Sequence, residues 1–302
     1  MLLPLVQSYG DKCSVHLYHT PSLNGILKSV LPQRWDEIVG LQHMKLYLFD
    51  DSVLISGANL SNDYFTNRQD RYLLIEDSKN LADFCDQLVQ TVSRFSFKLD
   101  KSNNLELDSQ WGHHPFLNSS TDFVAEARKT VLSLYEKQRS SQNNDESFRW
   151  PNDKSHDTWI FPLVQMGQLN VDMDNICTRK ILECIPTDAE MSLATGYFNL
   201  TQDYMTSILQ TCRADVQILM AHPSANGFLG ASGFAGGIPS AYTLLASQFY
   251  RQVIDTSQDL RIRLWEYRRL GWTFHAKGLW MSFTGNDTRP CFTLIGSPNF
   301  GK

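Results

Sequence analysis

The chain carries two copies of one short pattern, in which a histidine and a lysine stand two residues apart in an apolar stretch. The first copy is His43-Met-Lys45-Leu-Tyr-Leu-Phe-Asp50 and the second is His275-Ala-Lys277. Each copy is followed by a second apolar stretch and a turn of small residues that ends in asparagine, at Ser56–Asn59 and at Gly296–Asn299. We predict that each histidine–lysine pair lies on a β-strand, where residues i and i+2 point to the same face.

A further element precedes each copy. Leu17–Gly25 and Leu219–Gly227 both read as a short apolar strand, then a loop of His, Pro and Ser, then Asn-Gly. A pattern that recurs in the same order predicts a duplicated half-domain. The loop histidines, His19 and His222, are weaker candidates for chemistry, because loop histidines are often only solvated.

Two such sets around one pocket would gather two imidazoles, two ammonium groups and two amides. This inventory suits a two-step phosphoryl displacement, which needs a nucleophile, a general acid and base, and fixed positive charge. The lysines and asparagines would take the place of a metal, so we expect neither a metal nor a cofactor. The residues predicted to hold phosphate oxygens are Lys45, Lys277, Asn59, Asn299 and Ser297.

These residues resemble the phospholipase D superfamily, whose signature is a histidine, lysine and aspartate motif followed by a small-residue turn and asparagine. The chain is most similar to the eukaryotic phosphatidylglycerophosphate synthases. One position departs from the superfamily pattern: Ser282 stands where the second motif would have aspartate, and we interpret this change as tolerable because that aspartate is mostly structural. The resemblance covers nearly all of the chain and is weakest from about 101 to 156. Beyond the motifs it is carried by Tyr64–Tyr72, Thr195–Thr201, Trp272–Trp280 and Gly296–Gly301.

The resemblance implies a reaction. It is the transfer of the phosphatidyl group of CDP-diacylglycerol to sn-glycerol 3-phosphate, with release of CMP, at a mitochondrial membrane surface. His43 is assigned as the nucleophile and His275 as the acid and base, although the sequence alone leaves the reverse open. Asp70 is expected to orient the nucleophilic histidine, with an ion pair to a neighbouring arginine as a comparable alternative. Asp50 belongs to the catalytic motif, where we expect it to hold the turn.

Other functions stay open at this stage. The chain could be a phosphatidylserine or cardiolipin synthase, a phosphodiesterase that uses water, or a lipid-binding module without catalysis. The histidines, lysines and asparagines retained in both copies argue against the last. A net charge of −5 argues against the nuclease branch, because nucleic-acid binding favours a basic face, and no nucleic-acid partner is expected.

The length of 302 residues and a hydrophobic content of 42% suit two lobes with sizeable cores. We predict a mixed α/β fold of two pseudo-symmetric half-domains, each a mixed sheet flanked by helices. The first would be 1–100, with the His43 motif; 101–156 would be a linker; and 157–302 would be the second, with the His275 motif. Each half lacks an element that the other has, so we expect a fragment of a longer protein.

Three further features complete the sequence-based expectations. No apolar run is long enough to span a membrane, and no signal or transit peptide is visible. The six cysteines have no metal-binding spacing and are predicted to be reduced. The glycine-rich stretch 227–239 is predicted to be either a flexible insertion or a lipid-facing loop.

Overall fold

The computed structural model describes residues 2–23, 41–117, 120–144, 158–285 and 289–301. The chain clusters into two compact units: Met1–His43, Leu48–Ser52 and Asp77–Asp174 form the first, and Met44–Tyr47, Val53–Glu76 and Asn175–Lys302 form the second. These units do not coincide with the predicted halves, whose boundaries remain a prediction. The sequence also predicts a helix at 22–31. From residue 24 onward this segment lies outside the described residues.

Strands and helices are mixed along the chain, and several strands follow one another directly. The helices are α1 (Leu3–Tyr9), α2 (Asn62–Thr66), α3 (Lys79–Arg94), α4 (Ser120–Asn144), α5 (Met173–Cys184), α6 (Gln202–Thr206) and α7 (Ile238–Asp255). The strands are β1 (His16–Leu17), β2 (Leu46–Phe49), β3 (Ser52–Ser56), β4 (Arg68–Gln69), β5 (Tyr72–Ile75), β6 (Phe97–Leu99), β7 (Leu105–Glu106), β8 (Gln165–Met166), β9 (Val171–Asp172), β10 (Ala189–Thr195), β11 (Asp215–Ala221), β12 (Ile262–Tyr267), β13 (Thr273–Phe274), β14 (Gly278–Phe283) and β15 (Phe292–Leu294).

The first unit combines a small antiparallel sheet, in the order β1-β6-β7, with the helices α3 and α4. Helix α3 is amphipathic, as the spacing of its apolar residues predicted, because positions three and four apart share one face. Phe95 and Phe123 are fully buried, and both rings contact Trp111 at centroid distances of 5.5 and 6.1 Å. The buried residues on the apolar face of α3 include Leu81, Phe84, Leu88 and Val92.

The second unit is built on a five-stranded sheet in the order β12-β11-β10-β14-β15. Strands β10, β11 and β12 are parallel, whereas β14 runs antiparallel to β10. In β10, buried Met191 and Leu193 alternate with exposed Glu190 and Ser192. The carboxyl ends of parallel strands meet at one edge of a sheet, which is where open α/β sheets bind their ligands.

A two-residue parallel ladder joins β4 to β13. The backbone N–H of Thr273 donates to the Asn67 carbonyl at 3.0 Å, and that of His275 donates to the Gln69 carbonyl at 2.8 Å. The chain then leaves this ladder and enters the large sheet as β14. The segment that follows the first motif therefore lies directly beside the second motif.

The prediction that each histidine–lysine pair lies within a strand is wrong. His43 and Lys45 precede β2, and His275 and Lys277 lie in the link between β13 and β14. The reason is visible in the second copy, since the chain changes hydrogen-bonding partner there, from β4 to β10. The link is nevertheless extended enough to keep residues i and i+2 on one face.

Two other predictions concern irregular segments. The sequence predicts a strand near 158–163, but the structure has no strand there. Pro162 in that stretch has no N–H to donate to a ladder. The glycine-rich stretch ends in a 3₁₀ turn at Gly233–Gly237, and α7 follows with Pro239 in its first turn, where proline is well tolerated. None of the helices within the described ranges combines the length and apolarity of a membrane span.

Candidate active site

Asp70 and His275 form a buried pair. His275 Nδ1 lies 2.7 Å from Asp70 Oδ2, and the two side chains are 6% and 0% exposed. The other oxygen of Asp70 accepts the backbone N–H of Arg71 at 2.8 Å, which fixes the carboxylate in place. An ionised carboxylate only accepts hydrogen bonds, so Nδ1 carries the hydrogen and Nε2 carries a lone pair.

Lys277 lies against the same imidazole. Its Nζ is 2.6 Å from Nδ1 and 2.8 Å from Nε2 of His275, and it donates to the His275 carbonyl at 2.9 Å. Because Nδ1 donates to Asp70, Nε2 is the ring atom that can accept from the ammonium. The histidine and lysine of the second copy thus share one face, as their spacing predicted.

The protonation of this cluster is shifted by burial. Burial, together with the charge of Lys277, lowers the pKa of His275 to about 4 against the opposing effect of Asp70. Burial also lowers the pKa of Lys277 to about 7 and that of Lys45 to about 8, while Asp70 raises both. His275 is therefore neutral at pH 7, in the form that can attack or take a proton.

Two tyrosines line the imidazole. The Tyr64 hydroxyl lies 3.3 Å from Nδ1 and 3.4 Å from Nε2 of His275, with the rings edge to face. The Tyr197 ring meets His275 edge to face as well, at a centroid distance of 5.4 Å. Burial raises the pKa of both phenols, so they stay protonated donors at neutral pH. No sequence pattern pointed to either contact.

Two glycines allow this packing. A Cβ on Gly196, just after β10, would lie 2.8 Å from His275 Cα. A Cβ on Gly57, in the small-residue turn of the first copy, would lie 3.0 Å from Lys277 Cδ and 3.2 Å from Asp70 Oδ1. The small residues of that turn therefore have a physical purpose, because they let Lys277 and Asp70 approach the backbone.

Asp70 pairs with a different histidine from the one expected. The sequence suggested that it orients His43, which stands in the same copy of the repeat. The structure places it on His275 instead, because the ladder between β4 and β13 carries Asp70 to the second motif. The alternative, an ion pair between Asp70 and a neighbouring arginine, is not the main contact of Asp70. Arg68 pairs instead with Asp63 at 3.4 Å.

The remaining predicted residues divide between the two units. His43 and Asp50 lie in the first unit, and Asp50 has a φ of 51° in the exposed turn between β2 and β3, as expected of a turn residue. That the imidazoles of His43 and His275 face one another stays a prediction. Lys45, Asn59, Ser297 and Asn299 lie in the second unit with Asp70.

Asn299 is held at the end of β10. Its carbonyl accepts from the Thr195 hydroxyl at 3.2 Å, next to the glycine that contacts His275. Its side-chain Oδ1 is buried and has no hydrogen-bond partner among the described residues. Asn59 is exposed and Ser297 is half-buried. The described ranges contain no group of three or more His, Cys, Asp or Glu residues arranged to hold a metal.

We expect the affinity of this site for a phosphodiester to fall as pH rises from 7 to 9. A bound anion favours the ammonium forms of Lys277 and Lys45, whose pKa values of about 7 and about 8 mean that both lose charge over this range. Titration calorimetry with dihexanoylphosphatidylglycerol, whose single charge is constant here, measures this. Lys277→Met should weaken binding at pH 7 and flatten the pH dependence. A pH-independent affinity in the unsubstituted protein would contradict the expectation.

No family model matches the sequence. Among curated proteins, the chain is similar to the mitochondrial CDP-diacylglycerol–glycerol-3-phosphate 3-phosphatidyltransferase of Gallus gallus, with 44% identity over 320 residues that cover 100% of this chain and 57% of the relative. The Homo sapiens protein of the same name is 43% identical, with 100% and 56% covered. The similarity to these phosphatidyltransferases extends along the whole length of this chain. It spans a little over half the length of these relatives.

A yeast enzyme and a solved bacterial structure are also similar to this chain. The Saccharomyces cerevisiae enzyme is 34% identical over 325 residues, covering 100% of this chain and 61% of its own. Among solved structures, phosphatidylserine synthase from Haemophilus influenzae Rd KW20 is similar with a TM-score of 0.54 over 82% of this chain and 53% of that chain. At 20% identity this similarity concerns the fold alone, and it confirms the predicted mixed α/β class.

Proposed function

We propose that the protein containing this chain transfers the phosphatidyl group of CDP-diacylglycerol to sn-glycerol 3-phosphate, giving phosphatidylglycerophosphate and CMP. The observation that carries the proposal is the buried Asp70–His275–Lys277 cluster, in a chain 44% identical along its whole length to an enzyme of that name. The cluster supplies an oriented neutral imidazole and a cation beside it. Phosphatidylglycerol and cardiolipin synthesis in mitochondria is the pathway that such a product would feed.

The first step forms a phosphohistidine. His43 attacks the phosphatidyl phosphorus, so that an N–P bond forms while the P–O bond to CMP breaks. CMP leaves as a phosphate monoester, whose second pKa is about 6, so its departure needs little help from an acid. Lys45 and Lys277 balance the charge that develops on the non-bridging oxygens.

The second step transfers the phosphatidyl group to the acceptor. A hydroxyl of glycerol 3-phosphate attacks the phosphorus, the O–P bond forms and the N–P bond to His43 breaks. Nε2 of His275 takes the hydroxyl proton, which the neutral ring can accept. Asp70 then stabilises the imidazolium that results, and the proton passes to solvent as the site resets.

Acceptor-dependent release of CMP tests this function. Full-length protein is supplied with detergent-dispersed CDP-diacylglycerol and with glycerol 3-phosphate, serine, phosphatidylglycerol or no acceptor. We expect CMP release and a phosphatidylglycerophosphate product with glycerol 3-phosphate alone. Release without an acceptor would instead indicate a phosphodiesterase, and release only with serine or phosphatidylglycerol would indicate a different synthase.

We also propose that the protein binds the mitochondrial membrane surface through the turn Arg268–Trp272, called the tip below. The tip follows β12 at the carboxyl edge of the sheet, and Leu270 at its centre is 100% exposed. The Arg269 guanidinium lies 3.8 Å above the Trp272 ring, and the Asn67 side chain donates to the Gly271 carbonyl at 2.9 Å. Arginines near an anionic surface contribute about 1 kcal/mol each, so the tip suits a bilayer with anionic headgroups.

Leu270→Glu should weaken binding to vesicles that contain anionic phospholipid by roughly 10-fold or more, because burying a leucine side chain stabilises by about 1.5–3 kcal/mol. Transfer from vesicle-borne substrate should fall with it, while transfer from detergent-dispersed substrate should not. Leu260→Glu is the matched control, since Leu260 is 82% exposed but precedes β12, at the other end of that strand. Equal losses in both variants, or none in either, would rule out the tip as the membrane contact.

A further inference from the structure

The proposed reaction involves two phosphate groups on separate molecules. The phosphatidyl phosphate is where bonds form and break, and the lysines beside the histidines are suited to it. The acceptor brings a phosphate monoester of its own, which carries close to two negative charges at neutral pH. Such a group usually meets an arginine, whose planar fork donates two parallel hydrogen bonds. The residues assigned to the phosphatidyl phosphate do not bind this second phosphate.

Arg68 is a cation fixed in position beside the imidazole. It lies on β4, two residues before Asp70, and its Nε donates to the Thr273 hydroxyl at 2.9 Å. Its guanidinium lies 4.8 Å from the Tyr64 ring centroid, over the ring face. The side chain is 17% exposed, so it is held rigidly and yet reachable from solvent.

The ion pair that Arg68 makes within the protein is weak. Asp63 Oδ2 lies 3.4 Å from Arg68 Nη2, but the Asp63 side chain is 59% exposed. An ion pair with so exposed a partner contributes little and is easily replaced by a stronger anion. The charge of Arg68 also acts on the site, since it contributes to the lowered pKa of His275 and of Lys277.

A second donor lies close to this guanidinium. A Cβ on Gly227 would lie 3.3 Å from Arg68 Nη2 and 3.2 Å from the Tyr197 hydroxyl, so both groups lie against the backbone of this glycine. Burial raises the pKa of Tyr197, which keeps its hydroxyl a donor. The Tyr197 ring also contacts the ring of His275. Two phosphate donors therefore lie close together beside the reacting imidazole.

We propose that Arg68, together with the Tyr197 hydroxyl, binds the phosphate monoester of the acceptor and so selects glycerol 3-phosphate over acceptors without that phosphate. This proposal rests on the proposed function. With its phosphate at Arg68, the three-carbon acceptor extends its free hydroxyl toward His275, where Nε2 takes the proton. The glycine at position 227 lets Arg68 and Tyr197 both lie against the backbone, which keeps the two donors close together.

Arg71 provides a contrast on the same segment. Its Nη1 donates to the Leu294 carbonyl at 3.1 Å, its Nη2 donates to the Thr293 hydroxyl at 2.8 Å, and its guanidinium lies 4.3 Å from the Trp280 ring centroid. These contacts tie β14 and β15 to the strand segment that holds Asp70. Arg71 therefore serves the fold, which makes Arg71→Gln the matched control for Arg68→Gln.

The experiment compares two acceptors in the full-length protein with detergent-dispersed CDP-diacylglycerol. Values of kcat/KM are measured for glycerol 3-phosphate and for glycerol, which lacks the phosphate. Arg68→Gln should lower the ratio of the glycerol 3-phosphate value to the glycerol value by roughly 10- to 100-fold, as expected for loss of hydrogen bonds to a charged group. Gly227→Ala should reduce the same preference, because its methyl group would displace both donors. Arg71→Gln should change both acceptors by the same factor.

Several outcomes would overturn the proposal. An equal fall for both acceptors in Arg68→Gln would mean that Arg68 acts on the histidine through Tyr64. A rise in KM for CDP-diacylglycerol alone would mean that Arg68 binds a phosphate of CDP-diacylglycerol. Unchanged kinetic constants for all substrates would mean that Arg68 is not part of the site. If the unsubstituted protein itself fails to use glycerol 3-phosphate, the proposed function fails, which is a separate result from a failure of the Arg68 assignment.

Discussion

Replacing either motif histidine should abolish measurable phosphatidyl transfer, and for His275 the loss includes the roughly 100- to 10,000-fold that a positioned acid and base contributes. His43→Ala removes the nucleophile, and His275→Ala removes the group that takes the acceptor proton. The two variants should differ in what they trap. With CDP-diacylglycerol labelled at the phosphatidyl phosphorus, His275→Ala should retain label on the denatured protein, because the intermediate forms and is not released. His43→Ala should retain none.

The matched control is His222→Ala. His222 caps a 3₁₀ turn, with its Nδ1 accepting the Ser224 backbone N–H at 3.1 Å, and it has no place in the mechanism. We expect this variant to keep its activity and to show no excess label. Label on His43→Ala and not on His275→Ala would show that the two roles are reversed. Label on both variants would exclude a single phosphohistidine at either position.

Asp70→Asn should be nearly as severe in kcat, with a loss of roughly 100- to 10,000-fold and little change in KM. The amide keeps the size of the carboxylate, and its oxygen can still accept the Arg71 backbone N–H. Its NH₂ group, however, would face Nδ1 of His275 as a donor. The imidazole would then move its hydrogen to Nε2, where the lone pair is needed. Steady-state kinetics with both substrates varied would measure the effect.

Two comparisons separate this chemical effect from a folding defect. Thermal unfolding of Asp70→Asn should remain cooperative, because the substitution keeps the shape of the buried pair. Asp215→Asn changes an exposed carboxylate at the start of β11, the opposite end from the site, and should leave kcat unchanged. If Asp70→Asn retains full kcat, the pair between Asp70 and His275 is not needed for transfer.

The parts of the structure that were predictable from the sequence depend on local periodicity. The sequence pattern predicts helices at 79–98, 173–185 and 240–254 and strands at 190–196 and 215–220, and the structure has α3, α5, α7, β10 and β11 in these places. The contact between His275 and Lys277 was predictable from their spacing of two residues in the repeated motif. Asp70 was also predictable as a carboxylate that orients a histidine.

The rest required long-range information. Which histidine Asp70 orients depends on the pairing of β4 with β13, and no local pattern specifies the partner of a two-residue strand. Arg68, Tyr64 and Tyr197 were missed for the same reason, since their contacts cross from one motif to the other. The histidine–lysine pairs were misplaced into strands because a link between two sheets has the same alternation as a strand.

The ladder between β4 and β13 also has a consequence for folding. It brings together a carboxylate and an imidazole that are 205 residues apart in the chain, through only two paired positions on each side. Closing so long a segment is slow, and a ladder so short is stabilised only by what surrounds it. In a refolding experiment, helical signal should therefore recover before activity does. An intermediate with most of its helices formed would still be inactive, because His275 would lack the carboxylate that sets its tautomer.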